Sequence, residues 1–543
     1  MRYLNNLEGK GWLFIIFLFL LVLPWLTPYT AGPTPNVWPW LLSALCAVCL
    51  CLFRRRLDPE LVTLAWVLAA VISALIGLVQ YFGLAPALSP WINQPQAGEA
   101  YANLRQRNQF ATLTSIGLAA LIGWLALREK PAQRQQPTQG RLMPWWAYLM
   151  ALLLALGNAA SSSRTGLLQW GLIALLCVWW FWTGQRRLLV FALQALLAYG
   201  LAVVALPWLL ALTSGQQSGG LFGRLVEETG CSSRKILWAN VLTLIMQKPW
   251  LGWGWGELDY AHFITLYNGP RFCEILDNAH NLPLHLAVEM GVPAAVAIFG
   301  VLGWLTWRAR PWQETDPMRQ MAWAVLAVIG LHSLLEYPLW YGPFQIAAGL
   351  SVWLLYTSRK ASLGLNLESP PRFKKKSRMV QYWRALTAII MIVVLAGVAV
   401  SYYQVSQIYL PPDQRSAAYR DGTLAKVQDN WIFRAQARFA YLNITPLTPS
   451  NAAALHAMAV ELLHYSPEPR VIEKVIESAV MLGRDDEALY YLARYRAAFP
   501  KEHARWVLTN AVPLAPGVPG RPQAVLKLVP AVIPVHAAIS QTV

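Results

Sequence analysis

Residues 61–82 read LVTLAWVLAAVISALIGLVQYF, a run without a single charged residue. A helix of about 20 apolar residues crosses the hydrocarbon core of a bilayer, so this stretch predicts a transmembrane helix. Comparable runs recur along the 543-residue chain, which is 56% hydrophobic and only 13% charged. A soluble domain carries about 25% charged residues. The composition therefore indicates an all-α, polytopic membrane protein.

The apolar runs predict about eleven transmembrane helices, with short breaks between most of them. The predicted spans are residues 11–28, 37–53, 61–82, 108–127, 144–160, 166–183, 188–212, 286–307, 320–335, 343–357 and 383–403. With the N-terminus in the cytoplasm, the short inside breaks hold roughly 20 Lys and Arg and the short outside breaks about three. The net charge of +17 is thus explained by membrane topology, and no nucleic-acid partner is expected.

A polar segment from Thr213 to Leu284 separates the apolar halves and is predicted to be a large outer loop. Arginines bind anions through paired N–H donors, and a histidine exchanges protons near neutral pH. The segment therefore predicts a site for an anionic ligand and a proton transfer. Its basic and polar side chains include Arg224, Arg234, Lys248, Arg271, Asp277, His280 and Asn281.

Residues 234–256 are the most distinctive part of this loop. A short helix is predicted to begin at Ser232 or Ser233 and to break at Lys248-Pro249, before a turn with glycine at every second position. The spacing is not a dinucleotide-binding fingerprint, because no strand–turn–helix unit surrounds it. The glycines are expected to let the backbone pass close to a ligand or to the membrane surface.

Cys231 and Cys273 both fall in the predicted outer loop. An oxidising outer compartment would allow them to pair, and the sequence leaves open whether they do. Such a bridge would close a loop of roughly 43 residues and tether the Arg234 segment to the His280 segment.

Further polar clusters lie at the outer ends of predicted spans. Arg164, within SSSRTG at 161–166, faces protein, water or an anion, or else extends to lipid phosphate. His332, Glu336 and Tyr337 end the ninth span, either as functional groups or as an interfacial cap. His280 and His285 are five residues apart and do not share a helix face, so no zinc pair is expected.

Residues 1–403 are predicted to form the transmembrane body, with 213–284 as its large outer loop. Residues 404–543 change to balanced charge and helical periodicity, which predicts a helical domain on the same outer side. Helices are expected at 451–465, 469–482 and 483–500, with Pro500 as a stop. Their pattern is similar to tetratricopeptide-type repeats, and a plain helical bundle is the alternative.

Several motifs together resemble the O-antigen ligase and polymerase superfamily: SRTG at 163–166, Arg234 with Trp238, and the glycine turn at 252–256. His280-Asn281 followed after nine residues by Gly291, and Glu336-Tyr337-Pro338, are similar to the bacterial protein O-oligosaccharyltransferases, the PglL-like enzymes that glycosylate pilin. The helical C-terminal domain also suits this branch.

The resemblance implies transfer of an oligosaccharide from undecaprenyl diphosphate to Ser or Thr hydroxyls of a periplasmic protein such as pilin. It places the active site on the periplasmic face of the bacterial inner membrane and implies no metal and no other cofactor. Arginines would stabilise the diphosphate leaving group, and a histidine would take the proton of the acceptor hydroxyl. The expected roles are diphosphate binding by Arg164, Arg234 and Arg224, general base for His280, orientation by Asp277, and support from Glu336, Tyr337, His332 and Asn281.

Two alternatives stay open. An O-antigen ligase or polymerase would use the same donor chemistry with a lipid A core or glycan acceptor. A transporter of lipid-linked glycan is disfavoured, because neither paired broken helices nor an internal repeat is evident.

Overall fold

The computed structural model describes residues 7–53, 57–128, 143–182, 184–215, 219–226, 230–362 and 373–511. Within these ranges the chain is helical and contains no strand, which confirms the all-α prediction for this part of the molecule. The helices are α1 (Leu7–Leu26), α2 (Val37–Phe53), α3 (Pro59–Tyr81), α4 (Arg107–Arg128), α5 (Trp145–Ala160), α6 (Arg164–Phe181), α7 (Arg186–Ser214), α8 (Gly220–Val226), α9 (Arg234–Gln247), α10 (Leu258–Ile264), α11 (Leu282–Met290), α12 (Val292–Ala309), α13 (Pro317–Ser333), α14 (Gly342–Ser362), α15 (Phe373–Ser406), α16 (Thr423–Val427), α17 (Arg434–Ile444), α18 (Ala452–Leu463), α19 (Pro469–Met481), α20 (Asp485–Ala498) and α21 (Pro500–Ala511).

Short polar side chains start many of these helices. Asp58, Ser163, Ser233, Asn281 and Asp316 each accept a hydrogen bond from a backbone N–H in the first turn of the next helix. Such caps satisfy N–H groups that have no partner inside the helix. The predicted helix after Ser233 is confirmed, because α9 begins at Arg234 and ends before Lys248.

Six helices in the described ranges are long and apolar enough to cross a membrane: Pro59–Tyr81, Arg107–Arg128, Arg164–Phe181, Arg186–Ser214, Val292–Gln313 and Met379–Tyr409. Shorter apolar helices occupy Gly11–Leu26, Val37–Phe53 and Trp145–Ala160. These findings support a multi-pass membrane protein, while the number of eleven spans stays a prediction.

One sequence expectation needs correction. The span predicted at 286–307 is not one helix, because α11 ends at Met290 and α12 begins at Val292. Gly291 separates them with φ at 87°, a conformation that favours glycine. The polar segment 213–284 contains the predicted helix α9 and, in addition, α8 and α10, which were not predicted.

The helices group into two compact units. One contains Met1–Glu227 and Leu302–Val400, and the other contains Glu228–Val301 and Ser401–Val543. The grouping places most of the polar segment in the same unit as the C-terminal region. The division predicted at residue 403 assigned these two parts of the chain to different domains. The two groups are called the first unit and the second unit below.

Helix α4 is the most enclosed candidate span of the first unit, with 89% of its apolar window buried. It packs against α3, α5, α6 and α13. A Cβ atom on Gly117 would lie 2.3 Å from the Cβ of Ala70, so α3 and α4 approach each other closely at this position. Small residues allow this kind of packing between membrane helices.

In the second unit, α17 to α21 pack one after another, and the helices predicted at 451–465, 469–482 and 483–500 are confirmed as α18, α19 and α20. Pro500 does mark the end of the α20 stretch, but it is also the first residue of α21. The tetratricopeptide-like character stays a prediction.

Helix α10 from the polar segment joins this C-terminal core. Phe263 is buried and its ring lies parallel to that of Tyr491, with the centroids 6.5 Å apart. Arg494 donates from Nε to the carbonyl oxygen of Ile264 at 2.8 Å. The ring of His464 stacks on Tyr260 at 3.8 Å. Apolar packing, a backbone hydrogen bond and ring stacking therefore all fix α10 to the C-terminal helices.

Candidate active site

His280 lies in the second unit, immediately before α11, with its backbone in the left-handed region at φ 49°. This conformation is uncommon for residues other than glycine. The N–H of His280 donates to Oδ1 of Asn278 at 2.8 Å, and Trp238 donates from Nε1 to the carbonyl oxygen of Ala279 at 3.1 Å. Asn281 caps α11 by accepting from the N–H of Leu284. The backbone that carries the imidazole is therefore fixed on both sides.

Arg234 occupies the first turn of α9, four residues before Trp238. Residues four apart lie on the same face of a helix, so Arg234 is on the α9 face that bonds the His280 segment. The N-terminus of a helix also favours negative charge. Cys231, just before α9, forms a disulfide with Cys273, with the Cα atoms 5.5 Å apart. The bridge ties the start of α9 to the chain that leads to Asp277.

Two aspartates and His280 influence one another electrostatically. Burial raises the pKa of the Asp277 carboxyl, and the neighbouring His280 opposes that rise. Burial raises the pKa of Asp259 to about 7, and the negative charges of Glu257 and Asp277 add to the increase. The charge of His280 therefore acts on the Asp277 carboxyl, and the orienting role of Asp277 stays a prediction.

Helix α11 contains a buried His–Glu pair that was not predicted from the sequence. His285 Nε2 lies 3.4 Å from Glu289 Oε2, and both side chains are almost fully buried. Burial lowers the pKa of His285 to about 4 and raises that of Glu289 to about 7. The spacing of four residues on one helix was the available signal.

The glycine turn crosses the end of α11. Three backbone hydrogen bonds join the two segments, from Trp253 to Val288, from Gly254 to Glu289 and from Val292 to Pro249. A Cβ atom on Gly252 would lie 2.3 Å from the carbonyl oxygen of Glu289, and one on Gly291 would lie 2.1 Å from that of Trp250. At Gly252 the close neighbour is therefore protein backbone, not the ligand or membrane surface that the sequence suggested.

Two basic residues of the polar segment have structural partners. Arg271 donates to the carbonyl oxygens of Thr265 and His262 at 2.8 Å each, which closes the end of α10. Lys248 lies over the ring of Trp253, with Nζ 4.0 Å from the centroid. The diphosphate-binding prediction for this segment names Arg234 and also Arg224, which lies on α8 of the first unit.

The first unit contains a second polar cluster around Glu336. Gln106 and Asn108 each donate a side-chain N–H to the Glu336 carboxylate at 3.2 Å. Asn108 in turn accepts a hydrogen bond from the hydroxyl of Ser163 at 2.6 Å, and Ser163 caps α6, which begins at Arg164. The structure thus connects Glu336 through Asn108 to Ser163, the residue immediately before Arg164.

His332 is buried beside this cluster. Its Nδ1 lies 2.8 Å from Oγ1 of Thr112, which also accepts from Nε2 of Gln169. Tyr337 stacks on Tyr341 with ring centroids 6.0 Å apart. Asn108 and Thr112 are members of the cluster that were not predicted. The available signal was their spacing, because two polar residues one helical turn apart share a face of an otherwise apolar helix.

The predicted residues thus divide between the units. His280, Asp277, Asn281 and Arg234 lie in the second unit. Arg164, Glu336, His332, Tyr337 and Arg224 lie in the first unit.

Three family models match parts of the chain. Residues 149–299 match "O-Antigen ligase", residues 100–126 match "Protein glycosylation ligase", and residues 320–511 match "Virulence factor membrane-bound polymerase, C-terminal". The first two include the SRTG motif, the His280 segment and the Gln106–Asn108 region. Over these segments the chain is similar to O-antigen ligases and protein glycosylation ligases, which confirms the resemblance drawn from the motifs.

Curated relatives give the same picture at modest identity. A "General O-oligosaccharyltransferase" of Acinetobacter baylyi is 24% identical over 53% of this chain and 48% of its own length. An "O-antigen ligase" of Pseudomonas aeruginosa is 30% identical over 56% of this chain and 65% of its own length. A "ComP-specific O-oligosaccharyltransferase" of A. baylyi is 28% identical over 46% of this chain and 43% of its own length.

The matches thus span roughly half to two-thirds of these relatives. Two of the three names denote glycosyltransferases, in agreement with the predicted class of membrane transferase.

Replacing Gly252 by alanine is expected to destabilise the second unit strongly. The new Cβ would meet the carbonyl oxygen of Glu289, which is backbone and cannot turn away, at a φ of 71°. We expect a loss of about 3 kcal/mol or more. Gly256→Ala is the matched control, because Gly256 has a similar φ of 78° with open space around it, and about 1–2 kcal/mol of backbone strain is expected there. Equal thermal unfolding midpoints for the two variants would contradict the close approach of Gly252 to the backbone at Glu289.

Asp259→Asn is expected to reduce the pH dependence of stability. A carboxyl whose folded pKa is raised from 3.8 to about 7 stabilises the folded state at low pH, and this contribution is lost as the pH rises through that window. The asparagine does not ionise, so the variant should gain thermal stability relative to the parent at pH ~8 and not at pH ~4. If the thermal unfolding midpoints of parent and variant changed with pH in the same way, the raised pKa of Asp259 would be refuted.

Proposed function

We propose that this protein transfers an oligosaccharide from a lipid diphosphate donor, undecaprenyl diphosphate, to Ser or Thr hydroxyls of a periplasmic acceptor protein such as pilin. The relatives named as O-oligosaccharyltransferases support the reaction class. The observation that carries the proposal is His280, held in a left-handed backbone by Asn278 and Trp238. Asp277 precedes it by three residues, and Arg234 lies one helical turn before Trp238 on α9. The proposed location is the bacterial inner membrane, with the reaction on the periplasmic face.

The acceptor hydroxyl is neutral and must lose its proton as it attacks. His280 takes that proton as general base, and Asp277 orients the imidazole and stabilises the imidazolium that forms. Because the backbone is fixed on both sides of His280, the imidazole can occupy few positions. A base held in place in this way removes the acceptor proton more efficiently than a base that moves freely.

The anomeric carbon exchanges one C–O bond for another. The acceptor oxygen forms the new bond while the bond to the lipid diphosphate breaks, and the electron pair leaves with the phosphate oxygen. Direct attack opposite the leaving group inverts the anomeric centre. We propose that the reaction requires neither a metal nor another cofactor, because arginine can supply the positive charge.

Negative charge grows on the diphosphate as it departs, so an arginine placed there binds the transition state more strongly than the ground state. Arg234 is the proposed diphosphate ligand of the His280 group, and the N-terminus of α9 adds positive potential. Arg164 and Arg224 stay predicted diphosphate ligands. Glu336, Tyr337, His332 and Asn281 stay predicted supporting residues.

His280→Ala is expected to lower transfer at least about 100-fold, because the general base is removed. The assay is intact-mass analysis of a type IV pilin co-expressed with the protein in a glycan-producing Gram-negative host. Formation of the Cys231–Cys273 disulfide, seen on non-reducing gels, serves as the control for folding. Normal glycosylation of pilin by the variant would eliminate His280 as the base.

Arg234→Lys is expected to reduce transfer by about tenfold or more, since an ammonium cannot reproduce the paired hydrogen bonds of a guanidinium. The adjacent Lys235 is exposed, so Lys235→Ala is the matched control and should retain near-parental activity. If Arg234→Lys performs as well as Lys235→Ala, Arg234 does not bind the diphosphate.

A second function is favoured by the O-antigen ligase of P. aeruginosa, which has the highest identity of the three relatives. A ligase or polymerase would use the same donor and the same residues with a lipid A core or glycan acceptor. A blot of lipopolysaccharide from the same cells distinguishes the two. Unmodified pilin together with a new lipopolysaccharide ladder would favour the ligase.

A further inference from the structure

The second unit exposes a continuous apolar patch where α9 ends and the glycine turn begins. Met246, Trp250, Leu251 and Trp255 have 71%, 76%, 86% and 67% of their residue surface exposed. Leu242, one turn before Met246, extends the patch along α9. Large exposed apolar patches mark surfaces that bind a partner or a membrane.

The neighbouring helix indicates which partner covers this patch. The backbone N–H of Val292 donates to the carbonyl oxygen of Pro249 at 2.8 Å, so the patch adjoins the first residue of α12. Val292–Gln313 is a candidate membrane span, and only 6% of its apolar window is buried within the protein. Val296 and Val301 are exposed along it. The patch is therefore continuous with a surface whose composition suits lipid.

The composition of the turn fits the boundary of a bilayer. Tryptophan is enriched at the level of the lipid headgroups, where an apolar ring and a polar N–H are both satisfied. Lys248, which lies over the ring of Trp253, adds a positive charge at the edge of the patch. Lysine in this position attracts lipid phosphate.

The backbone crossing prevents the turn from moving away from the start of the span. Gly252 and Gly291 are in contact through backbone atoms, and three hydrogen bonds hold the two segments together. Any depth that Val292 has in the membrane thus fixes the depth of Trp250 and Leu251.

We propose that residues 246–255 form a membrane-inserted turn, with Met246, Trp250, Leu251 and Trp255 lying in the headgroup–acyl boundary of the leaflet at the Val292 end of α12. The turn holds α9 and α11 at the lipid surface, and with them Arg234 and the His280 segment. The proposal rests on exposure and on continuity with the span, and it does not depend on the glycan-transfer reaction.

The test uses the full-length protein in nanodiscs of phosphatidylethanolamine and phosphatidylglycerol. Leu251→Cys is prepared in a background with Cys46, Cys49, Cys51 and Cys177 changed to serine, and is labelled with an environment-sensitive maleimide fluorophore. Two exposed positions are the matched controls: Val296→Cys within the candidate span, and Leu508→Cys on α21. Quenching by bromine-labelled acyl chains reports contact with lipid, and quenching by iodide reports contact with water.

The label at residue 251 is expected to be quenched by brominated lipid at least about half as strongly as the label at 296. Its quenching by iodide should be several-fold weaker than that of the label at 508. A label at 251 that responds like the label at 508 would overturn the proposal. Shielding from both quenchers would also overturn it, because a protein surface would then cover the patch. Trp255→Cys, labelled in the same way, repeats the test if Leu251→Cys folds poorly.

Discussion

The arrangement of α9 and α11 in the second unit depends on the close approach of two backbone segments. Where Gly252 crosses Gly291 the chains are too close for any Cβ atom on either side. This crossing joins the end of α9 to the end of α11, and the His280 segment lies between those helices in sequence. Because backbone atoms cannot change rotamer, the contact fixes distance more strictly than side-chain packing does. The hydrogen bond from Trp238 to the carbonyl oxygen of Ala279 then holds the His280 segment against α9.

The first unit follows a different rule, since its polar residues are enclosed by apolar helices. A buried polar group without a partner costs free energy, so such residues occur in connected sets. The set around Glu336 reaches Ser163 through Asn108, and the set around His332 reaches Gln169 through Thr112. These hydrogen bonds fix Ser163, which caps α6 just before Arg164. The partner residues lie outside the SRTG motif, so the motif itself does not reveal them.

Helix positions were largely accessible from the sequence, because apolar runs, caps and prolines act locally. The start of α9 after Ser233 and its end before Lys248 are examples. The break at Gly291 was missed because the apolar character continues through it, although glycine followed by Pro293 is a helix-stop signal. The partners of Arg271 and the role of Gly252 were also inaccessible, since both depend on which segments meet in space. Motifs found His280 and Arg234, but not Asn108 or Glu289, whose significance comes from their partners.

The docking of α10 on the C-terminal helices has a consequence for modularity. Phe263, Ile264 and Tyr260 belong to the polar segment, yet they contact Tyr491, Arg494 and His464 more than 200 residues later in the chain. A chimera that exchanged only residues 401–511 with a relative would separate these partners. The unit of exchange is therefore discontinuous, so that α10 and the C-terminal helices must be inherited, recombined or transplanted together.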